Sequence, residues 1–504
     1  MTLTLIPQPR AVRELPGAFR LTPDTAIAAP GLTGEALRVA AYLADSLRTP
    51  TGLPLPLGET GTVLLALDPA VGALDEPGAD ADPGAAEAYA LTVTPEAVTL
   101  RAATAEGLFR GAQTLRQLLP AAVERAEPSA RTDWTVPAVE IADRPRFGYR
   151  SAMLDVSRHF FPVADVKRLI DALAAYKLNT LHLHLSDDQG WRIEIPSRPE
   201  LTAKAAGFQV GEGDGGFYTV ADYTELVTYA ADRFVTLVPE LDVPGHTNAA
   251  LLAYPELALD GFRATAYRGI EVGFSTLDPD NEATYAFLAD VFGDLAAMTP
   301  GPYLHLGGDE VDVLDQERFE RFLRRAAAIA AATGKTVIGW EEIVATAADG
   351  VVAQYWGRNH GREKVEHGVS DEQFRAAVAR GTRAIVSPAA HSYLDMQYGP
   401  DSPYGLHWAG YVDVEQAYRW DPIAYLGEVD PARVLGIEAA LWSETVATMA
   451  EAEYLIFPRL PGLAEVAWSP AGRDWPEYRT RLAAHAERWE AQGRSYYRAP
   501  EVWG

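Results

Sequence analysis

Short apolar runs alternate with helical stretches from about residue 146 to the end of the chain. The runs have the length of strands, and their continuous apolar character suits strands that are buried on both faces, as in a parallel sheet. In chain order they are SAMLDVS, TLHLHLS, FVTLVPELD, YLHLGGDE, TVIGWEE, VVAQYW, RAIVSP and VLGIEAALWSE. Eight strands, most of them followed by a helix, predict a (β/α)8 barrel. An open doubly wound sheet is the alternative, but no glycine-rich phosphate loop follows any run.

The helical stretches carry boundary signals of their own. Pro162 opens the segment 162–178, whose apolar residues repeat at helical spacing. Gly334 follows the last periodic residue of a later segment, as a C′ glycine does. Ser370 and Gly381 bracket a further segment as its N-cap and its terminating residue. These signals support the alternation of strands and helices.

Residues 1–145 have a different character, with frequent proline, glycine and alanine. Two alternating runs around a Thr-Pro-Glu turn predict a hairpin, and a helix with a buried apolar stripe follows it. The residues of that stripe are Leu108, Ala112, Leu115, Leu118 and Leu119. The sequence therefore predicts a small α+β domain over residues 1–145 and the barrel over residues 146–504. The first domain carries no catalytic constellation, which favours a structural role.

Charge and composition exclude several classes of partner. The chain has 504 residues, a formal net charge of −27 and no cysteine. Nucleic acid and anionic membrane surfaces would be repelled by such a charge, and no apolar run approaches the ~20 residues needed to span a bilayer. Without cysteine there are no disulfides, and no signal peptide is visible at the N-terminus. We therefore expect a cytoplasmic rather than a secreted protein.

Polar or aromatic residues follow every predicted barrel strand, at the end where such barrels carry their chemistry. A single Asp in this place is more often a helix cap, and a single Trp more often packs in the core. A whole set of them would be costly to bury without partners, which favours a polar pocket walled by indoles and suited to a sugar. In strand order the set is Asp155 and Arg158, Asp187, Asp242 and His246, Asp309 and Glu310, Trp340, Trp356, Tyr393 and Asp395, and Trp442 and Glu444.

The adjacent carboxylates Asp309 and Glu310 are the most unusual feature of this set. Burial and a neighbouring negative charge both raise the pKa of a carboxyl group, and glycosidic cleavage needs an acid that is still protonated near neutral pH. In a regular strand the two side chains would face opposite ways. Gly307 and Gly308 precede them and allow the backbone to leave strand geometry. We therefore expect both carboxylates to reach the pocket.

The motifs at these strand ends resemble glycoside hydrolase family 20, in particular bacterial exo-β-N-acetylhexosaminidases and especially those of actinomycetes. The motifs are MLDVSRHF, LHLHLSDDQGWR, ELDVPGHT, LHLGGDE, GWEE, QYW, YLDMQY, GLHWAGY and LWSE. The N-terminal part is similar to the accessory α+β domain of that family. The resemblance implies a hydrolase that needs no metal or cofactor. It would remove terminal GlcNAc or GalNAc from small or oligosaccharide substrates such as chitooligosaccharides.

The resemblance also implies a mechanism with retention of configuration, in which the 2-acetamido oxygen of the substrate attacks the anomeric carbon and forms an oxazolinium intermediate. Glu310 would be the general acid and later the base, and Asp309 would orient and stabilise the acetamido group. Tyr393 would donate to the acetamido oxygen, and His246 would support the acid. The remaining residues implied to bind the sugar are Arg158, Asp187, Trp340, Trp356, Asp395, Trp408, Trp442 and Glu444.

Two alternatives of other classes compete with this interpretation. A zinc hydrolase could use His182 and His184, which share one strand face, together with His246, His305 and Asp309. His182 and His184 are expected several residues before the end of the strand, deeper than an accessible metal site. This favours hydrogen-bonded interior histidines instead. A sugar-binding protein without catalysis would need the acid to be missing or displaced. The sequence decides neither GlcNAc against GalNAc, nor the natural glycan, nor the oligomeric state.

Overall fold

The computed structural model describes residues 3–72, 84–346, 350–358, 360 and 368–504. Within them, the N-terminal part forms a sheet of seven strands in the order β1-β7-β5-β6-β4-β2-β3, antiparallel from β1 to β6 and parallel beyond. Its elements are β1 (Ala11–Arg20), β2 (Ile27–Ala28), α1 (Gly34–Thr51), β3 (Leu57–Gly58), β4 (Val63–Leu67), β5 (Tyr89–Val93), β6 (Val98–Ala102), α2 (Ala105–Leu118) and β7 (Thr135–Asp143).

The predicted hairpin and helix of this domain are confirmed. Strands β5 and β6 pair antiparallel and alternate buried and less buried residues, because one face of the sheet is covered by α2. Helix α2 begins where the Thr104 side chain accepts a hydrogen bond of 3.1 Å from the backbone N–H of Gly107. Its predicted apolar stripe is buried.

The described residues beyond the first domain form a closed barrel of eight parallel strands, so the predicted fold class is confirmed. Each strand coincides with one of the apolar runs. They are β8 (Tyr149–Asp155), β9 (Thr180–His184), β10 (Thr236–Glu240), β11 (Tyr303–His305), β12 (Thr336–Trp340), β13 (Val352–Tyr355), β14 (Arg383–Val386) and β15 (Val434–Leu441). The domain limits 1–145 and 146–504 stay predictions.

Helices surround this barrel and carry the predicted boundary residues. Ser370 caps its helix through a 3.2 Å hydrogen bond from the N–H of Gln373, and Gly334 and Gly381 have positive φ at their helix ends. None of the described helices has the length and apolar content that crossing a bilayer requires. They are α3 (Val163–Ala175), α4 (Glu200–Ala205), α5 (Val220–Ala231), α6 (Asn248–Ala253), α7 (Glu282–Met298), α8 (Gln316–Ala332), α9 (Asp371–Arg380), α10 (Ala389–Ser392), α11 (Val414–Tyr418), α12 (Pro422–Leu426), α13 (Met449–Ile456), α14 (Arg459–Trp468), α15 (Trp475–Ala491) and α16 (Pro500–Trp503).

Buried ion pairs join the first domain to the amino end of the barrel. Lys177, at the turn before β9, donates to Asp143 over 3.1 Å and to the Tyr89 hydroxyl over 2.9 Å. Arg150 on β8 donates to Glu87 over 2.8 Å. Because these charged groups are withdrawn from water, separating the domains would remove charge partners that both sides bury. The first domain thus braces the barrel at the end opposite to the site.

Candidate active site

A cavity of about 440 Å³ lies at the carboxyl ends of the barrel strands. The buried Arg158 and Tyr393 line its inner part, whereas Trp408 stands at the rim with 54% of its surface exposed. Eight of the twelve residues predicted for the site line this cavity: Arg158, Asp309, Glu310, Trp356, Tyr393, Trp408, Trp442 and Glu444. The other four, His246, Asp187, Trp340 and Asp395, are buried and each contacts a lining residue.

The backbone before Glu310 has left strand geometry, as the two glycines predicted. Gly307 and Gly308 have φ of 70° and 108°, and Glu310 itself has φ of 51°. A Cβ on Gly307 would lie 1.7 Å from an oxygen of Asp242, so this position has no room for a side chain. The N–H of Gly308 donates to the same Asp242 carboxyl over 2.9 Å. This turn brings both Asp309 and Glu310 to the cavity.

His246 lies beside both carboxylates. Its Nε2 atom is 3.6 Å from Glu310 Oε2 and 3.8 Å from Asp309 Oδ2. Burial raises the pKa of Glu310, and the charge of Asp309 adds to that rise against the opposing charge of His246. Glu310 therefore keeps its proton to a higher pH than an exposed glutamate does, which is what a general acid requires.

Asp187 connects His246 to Arg158. Arg158 Nη2 is 2.8 Å from Asp187 Oδ2, and His246 Nδ1 is 3.3 Å from Asp187 Oδ1. Burial alone would raise the pKa of Asp187, but Arg158 and His246 hold it well below its usual range. Burial likewise would lower the pKa of His246, yet the carboxylates of Asp187 and Asp242 raise it well above its usual value. His246 is therefore an imidazolium at neutral pH, anchored at a permanent carboxylate.

Aromatic rings form a continuous wall along the cavity. The ring centroids of Trp340 and Trp442 are 5.7 Å apart, those of Trp356 and Trp408 are 6.0 Å apart, and Tyr393 lies 5.9 Å from Trp408. The guanidinium carbon of Arg158 sits 4.8 Å from the Trp442 ring. Such a wall offers flat apolar faces to the C–H groups of a sugar while leaving its hydroxyls to polar partners.

Asp395 and Glu444 are two interacting carboxyl groups near Trp442. Burial raises the pKa of both carboxyls, and Glu444 raises that of Asp395 further. Burial also raises the pKa of the Tyr393 hydroxyl well above its usual value, with Asp395 adding to it. The Tyr393 hydroxyl therefore stays protonated and can donate a hydrogen bond into the cavity.

Family models identify the chain. One described as glycosyl hydrolase family 20, catalytic domain, matches residues 147–317 and 312–471, and one described as glycosyl hydrolase family 20, domain 2, matches residues 2–144. The chain belongs to glycosyl hydrolase family 20. The predicted family is thereby confirmed, and the protein is a glycoside hydrolase.

Relatives from this family match over nearly the whole chain. A β-N-acetylhexosaminidase of Cellulomonas fimi is 44% identical over 83% of this chain and 82% of its own length. The solved family 20 β-N-acetylhexosaminidase of Streptomyces coelicolor A3(2) is 47% identical, with a TM-score of 0.92 over 99% of this chain and 98% of that one. A mutant Streptomyces plicatus β-hexosaminidase solved with its product GlcNAc is 46% identical, with a TM-score of 0.91 over 99% and 97%.

Four residues of the cavity lining were not among the predicted site residues: Ile270, Val272, Arg358 and Leu406. All of them lie on loops, where no apolar period marks a position as facing the pocket. Arg358 stands in the polar stretch after Trp356, and its guanidinium is 3.5 Å from Asp312. Its place two residues after Trp356, at the start of that polar stretch, is the one signal that the sequence offers.

Glu341 and Glu342, which the sequence left without a role, hold Trp356 in place. A Glu341 carboxyl oxygen accepts hydrogen bonds from the backbone N–H groups of Trp356 (3.0 Å) and Gly357 (2.8 Å). The Trp356 indole N–H donates to Glu342 over 3.3 Å. Burial raises the pKa of Glu341 to about 8, so its proton equilibrium lies near neutral pH.

The strand histidines of the zinc alternative lie in the barrel interior next to carboxylates. The ring nitrogens of His182 lie 3.0 Å from Glu438 and 3.1 Å from Glu240. Burial alone would lower the pKa values of His182 and His184, but the flanking carboxylates raise both to about 10. His182 and His184 are thus hydrogen-bonded in the interior, as their place in the strand predicted. His184 is the last residue of β9, not several residues before its end as expected, yet it is fully buried.

Proposed function

We propose that this family 20 hydrolase is an exo-acting β-N-acetylhexosaminidase that removes terminal GlcNAc or GalNAc with retention, through substrate-assisted catalysis. The observation that carries the proposal is the pair Asp309 and Glu310, which a left-handed turn presents together in an indole-walled cavity. The names of the C. fimi and Streptomyces relatives, one of them solved with GlcNAc, support the same substrate class.

In the first step, the 2-acetamido oxygen attacks the anomeric carbon while the glycosidic C–O bond breaks. Glu310 gives its proton to the leaving oxygen, and Asp309 accepts the acetamido N–H and balances the positive charge that develops there. Tyr393 donates to the acetamido oxygen and holds it on the anomeric carbon. In the second step, ionised Glu310 takes a proton from water, which attacks the anomeric carbon and restores the acetamide.

The remaining side chains bind the sugar ring. Arg158 and Glu444 would bond to the 3- and 4-hydroxyls, with Asp187 fixing the guanidinium from behind, and Asp395 would reach toward the 6-hydroxyl. Trp340, Trp356 and Trp442 would wall the acetamide methyl, and Trp408 would contact the aglycone at the rim. A solved relative from Vibrio harveyi, 32% identical with a TM-score of 0.84 over 98% of this chain and 78% of that one, is described as an exo β-N-acetylglucosaminidase. This supports exo action.

A substrate panel tests the mechanism directly. We expect cleavage of 4-nitrophenyl β-GlcNAc or β-GalNAc and a rate lower by several orders of magnitude for the 4-nitrophenyl β-glucoside. The reason is that an intramolecular nucleophile provides effective molarities of about 10⁵–10⁸ M, which the glucoside lacks. Release of 4-nitrophenol is the measurement. Efficient cleavage of the glucoside would refute substrate assistance, and sugar binding without any release would favour the lectin alternative.

Replacing His246 with asparagine should raise the pH at which activity falls. Glu310 must be protonated to act as the acid, so kcat/KM falls as the pH rises through its pKa. Burial and Asp309 raise that pKa. The facing cations His246, Arg358 and Arg158 lower it. Removing the charge of His246 therefore moves the fall to higher pH. The pH profile of kcat/KM measures the shift, and a fall at the wild-type pH or below would contradict it.

A further inference from the structure

His184 links the barrel interior to the active site through two carboxylates. Its Nδ1 atom is 2.5 Å from Glu240 Oε2, and its Nε2 atom is 2.9 Å from Asp187 Oδ2. All three side chains are buried, with 0–1% of their surface exposed. Burial alone would lower the pKa of His184, but Glu240 and Asp187 raise it to about 10. His184 is therefore a fixed cation that faces a carboxylate on each side.

The Glu240 side chain has a fixed orientation, because several groups contact its carboxylate. Its oxygens lie 3.1 Å from His182 Nε2 and 3.0 Å from His305 Nδ1. It also accepts a 2.9 Å hydrogen bond from the indole N–H of Trp340. A group with this many partners in a packed interior has a single orientation available. The orientation of Glu240 therefore fixes the ring of His184.

Asp187 contacts both the sugar-binding cation Arg158 and His246, the cation beside the acid. Its Oδ2 atom is shared by His184 and by Arg158, whose Nη2 lies 2.8 Å away. Its Oδ1 atom is 3.3 Å from His246, the partner of the acid Glu310. A rotation of this carboxylate would therefore displace the sugar-binding cation and the cation beside the acid at once.

We infer that His184 is a positioning residue, which does not touch the substrate but fixes the Asp187 carboxylate so that Arg158 and His246 are both placed for reaction. This inference rests on the proposed function of those two residues. A shift of reacting groups by about 1 Å costs about 10²-fold in rate, so loss of the contact between His184 and Asp187 should be costly although it lies outside the cavity.

Two substitutions at this position separate positioning from packing. The amide nitrogen of glutamine stands as far along the side chain as the Nε2 atom of histidine, so His184→Gln keeps a donor to Asp187. The amide nitrogen of asparagine corresponds to Nδ1, so His184→Asn keeps the contact with Glu240 and loses the one with Asp187. Both variants remove the same buried charge.

We expect His184→Asn to lower kcat/KM for 4-nitrophenyl β-GlcNAc by about 10²-fold, and His184→Gln to recover at least about tenfold of that loss. The loss of kcat should be larger for chitobiose than for 4-nitrophenyl β-GlcNAc, because the leaving group of chitobiose needs the proton of Glu310. KM should rise for both substrates, because Arg158, which binds the sugar, is displaced. Equal activity of the two variants, or equal losses on both substrates, would overturn the inference.

A double-mutant cycle of His184→Asn with Asp187→Asn gives an independent test. If His184 acts through Asp187, His184→Asn should cause little further loss once Asp187 is replaced, whereas independent roles would multiply the two losses. His485 provides the control, because it is as buried and hydrogen-bonded through both nitrogens but lies on α15. His485→Gln should lower the melting temperature without any dependence on the leaving group. Failure of wild-type protein to cleave either substrate would instead refute the proposed function.

Discussion

We expect Glu310→Gln to lower kcat/KM for chitobiose by about 10²–10⁴-fold, the contribution of a general acid. Glutamine keeps the size of the side chain but has no proton to give to the leaving oxygen. The loss should be smaller for 4-nitrophenyl β-GlcNAc, because a nitrophenolate departs without being protonated. Steady-state kinetics with the two substrates measure the difference.

The control for this substitution is Glu317→Gln, the same chemical change on the exposed face of α8 near the cavity. It should leave both rates near those of the wild type. Binding of the product GlcNAc to the Glu310 variant, measured by calorimetry, should also persist, since Arg158 and the indole wall are intact. Wild-type turnover of chitobiose by Glu310→Gln would remove the acid role.

We expect Asp309→Asn to lower kcat by about 10²–10³-fold for both substrates, the range for loss of one preorganised electrostatic stabiliser. The neutral amide cannot balance the positive charge of the oxazolinium, and it presents a donor where the acetamido N–H needs an acceptor. Because this charge develops whatever the leaving group is, the loss should not depend on the aglycone. That independence distinguishes Asp309 from Glu310.

An exposed carboxylate serves as the matched control for Asp309. Asp260→Asn makes the same change on the surface and should leave kcat unchanged. A loss at Asp309→Asn that follows leaving-group basicity would assign Asp309 a share in proton transfer instead. Accumulation of a sugar ester-linked to the enzyme in either variant would refute the substrate-assisted mechanism altogether.

Part of the site could be predicted from the sequence, because the residues that indicate it are close together along the chain. The glycines before Asp309 and Glu310 predicted the turn, and the structure gives them φ of 70° and 108°. The polar residues after each apolar run predicted which side chains converge, since parallel strands of a barrel end on one face. Seven of the eight predicted residues that line the cavity follow such a run, and the family resemblance added Trp408.

Other parts could not be predicted, because they depend on neighbours that are distant in sequence. His184 and Glu240 are 56 positions apart, and nothing in either run indicates that they bond. Arg358 lies on a loop without periodicity. The contacts that His246, Asp187, Trp340 and Asp395 make with the lining residues Glu310, Arg158 and Trp442 likewise join distant parts of the chain.

The order of apolar and polar positions predicted the barrel, the hairpin and helix of the first domain and most side chains at the active end, because periodicity and strand-end position are properties of the local chain. The tertiary structure decided the pKa values of those side chains, and therefore their protonation, and which groups each of them contacts. Desolvation and Coulomb interactions depend on distances through space, and only the closed barrel brings Glu240, His184, Asp187 and His246 into contact behind Glu310.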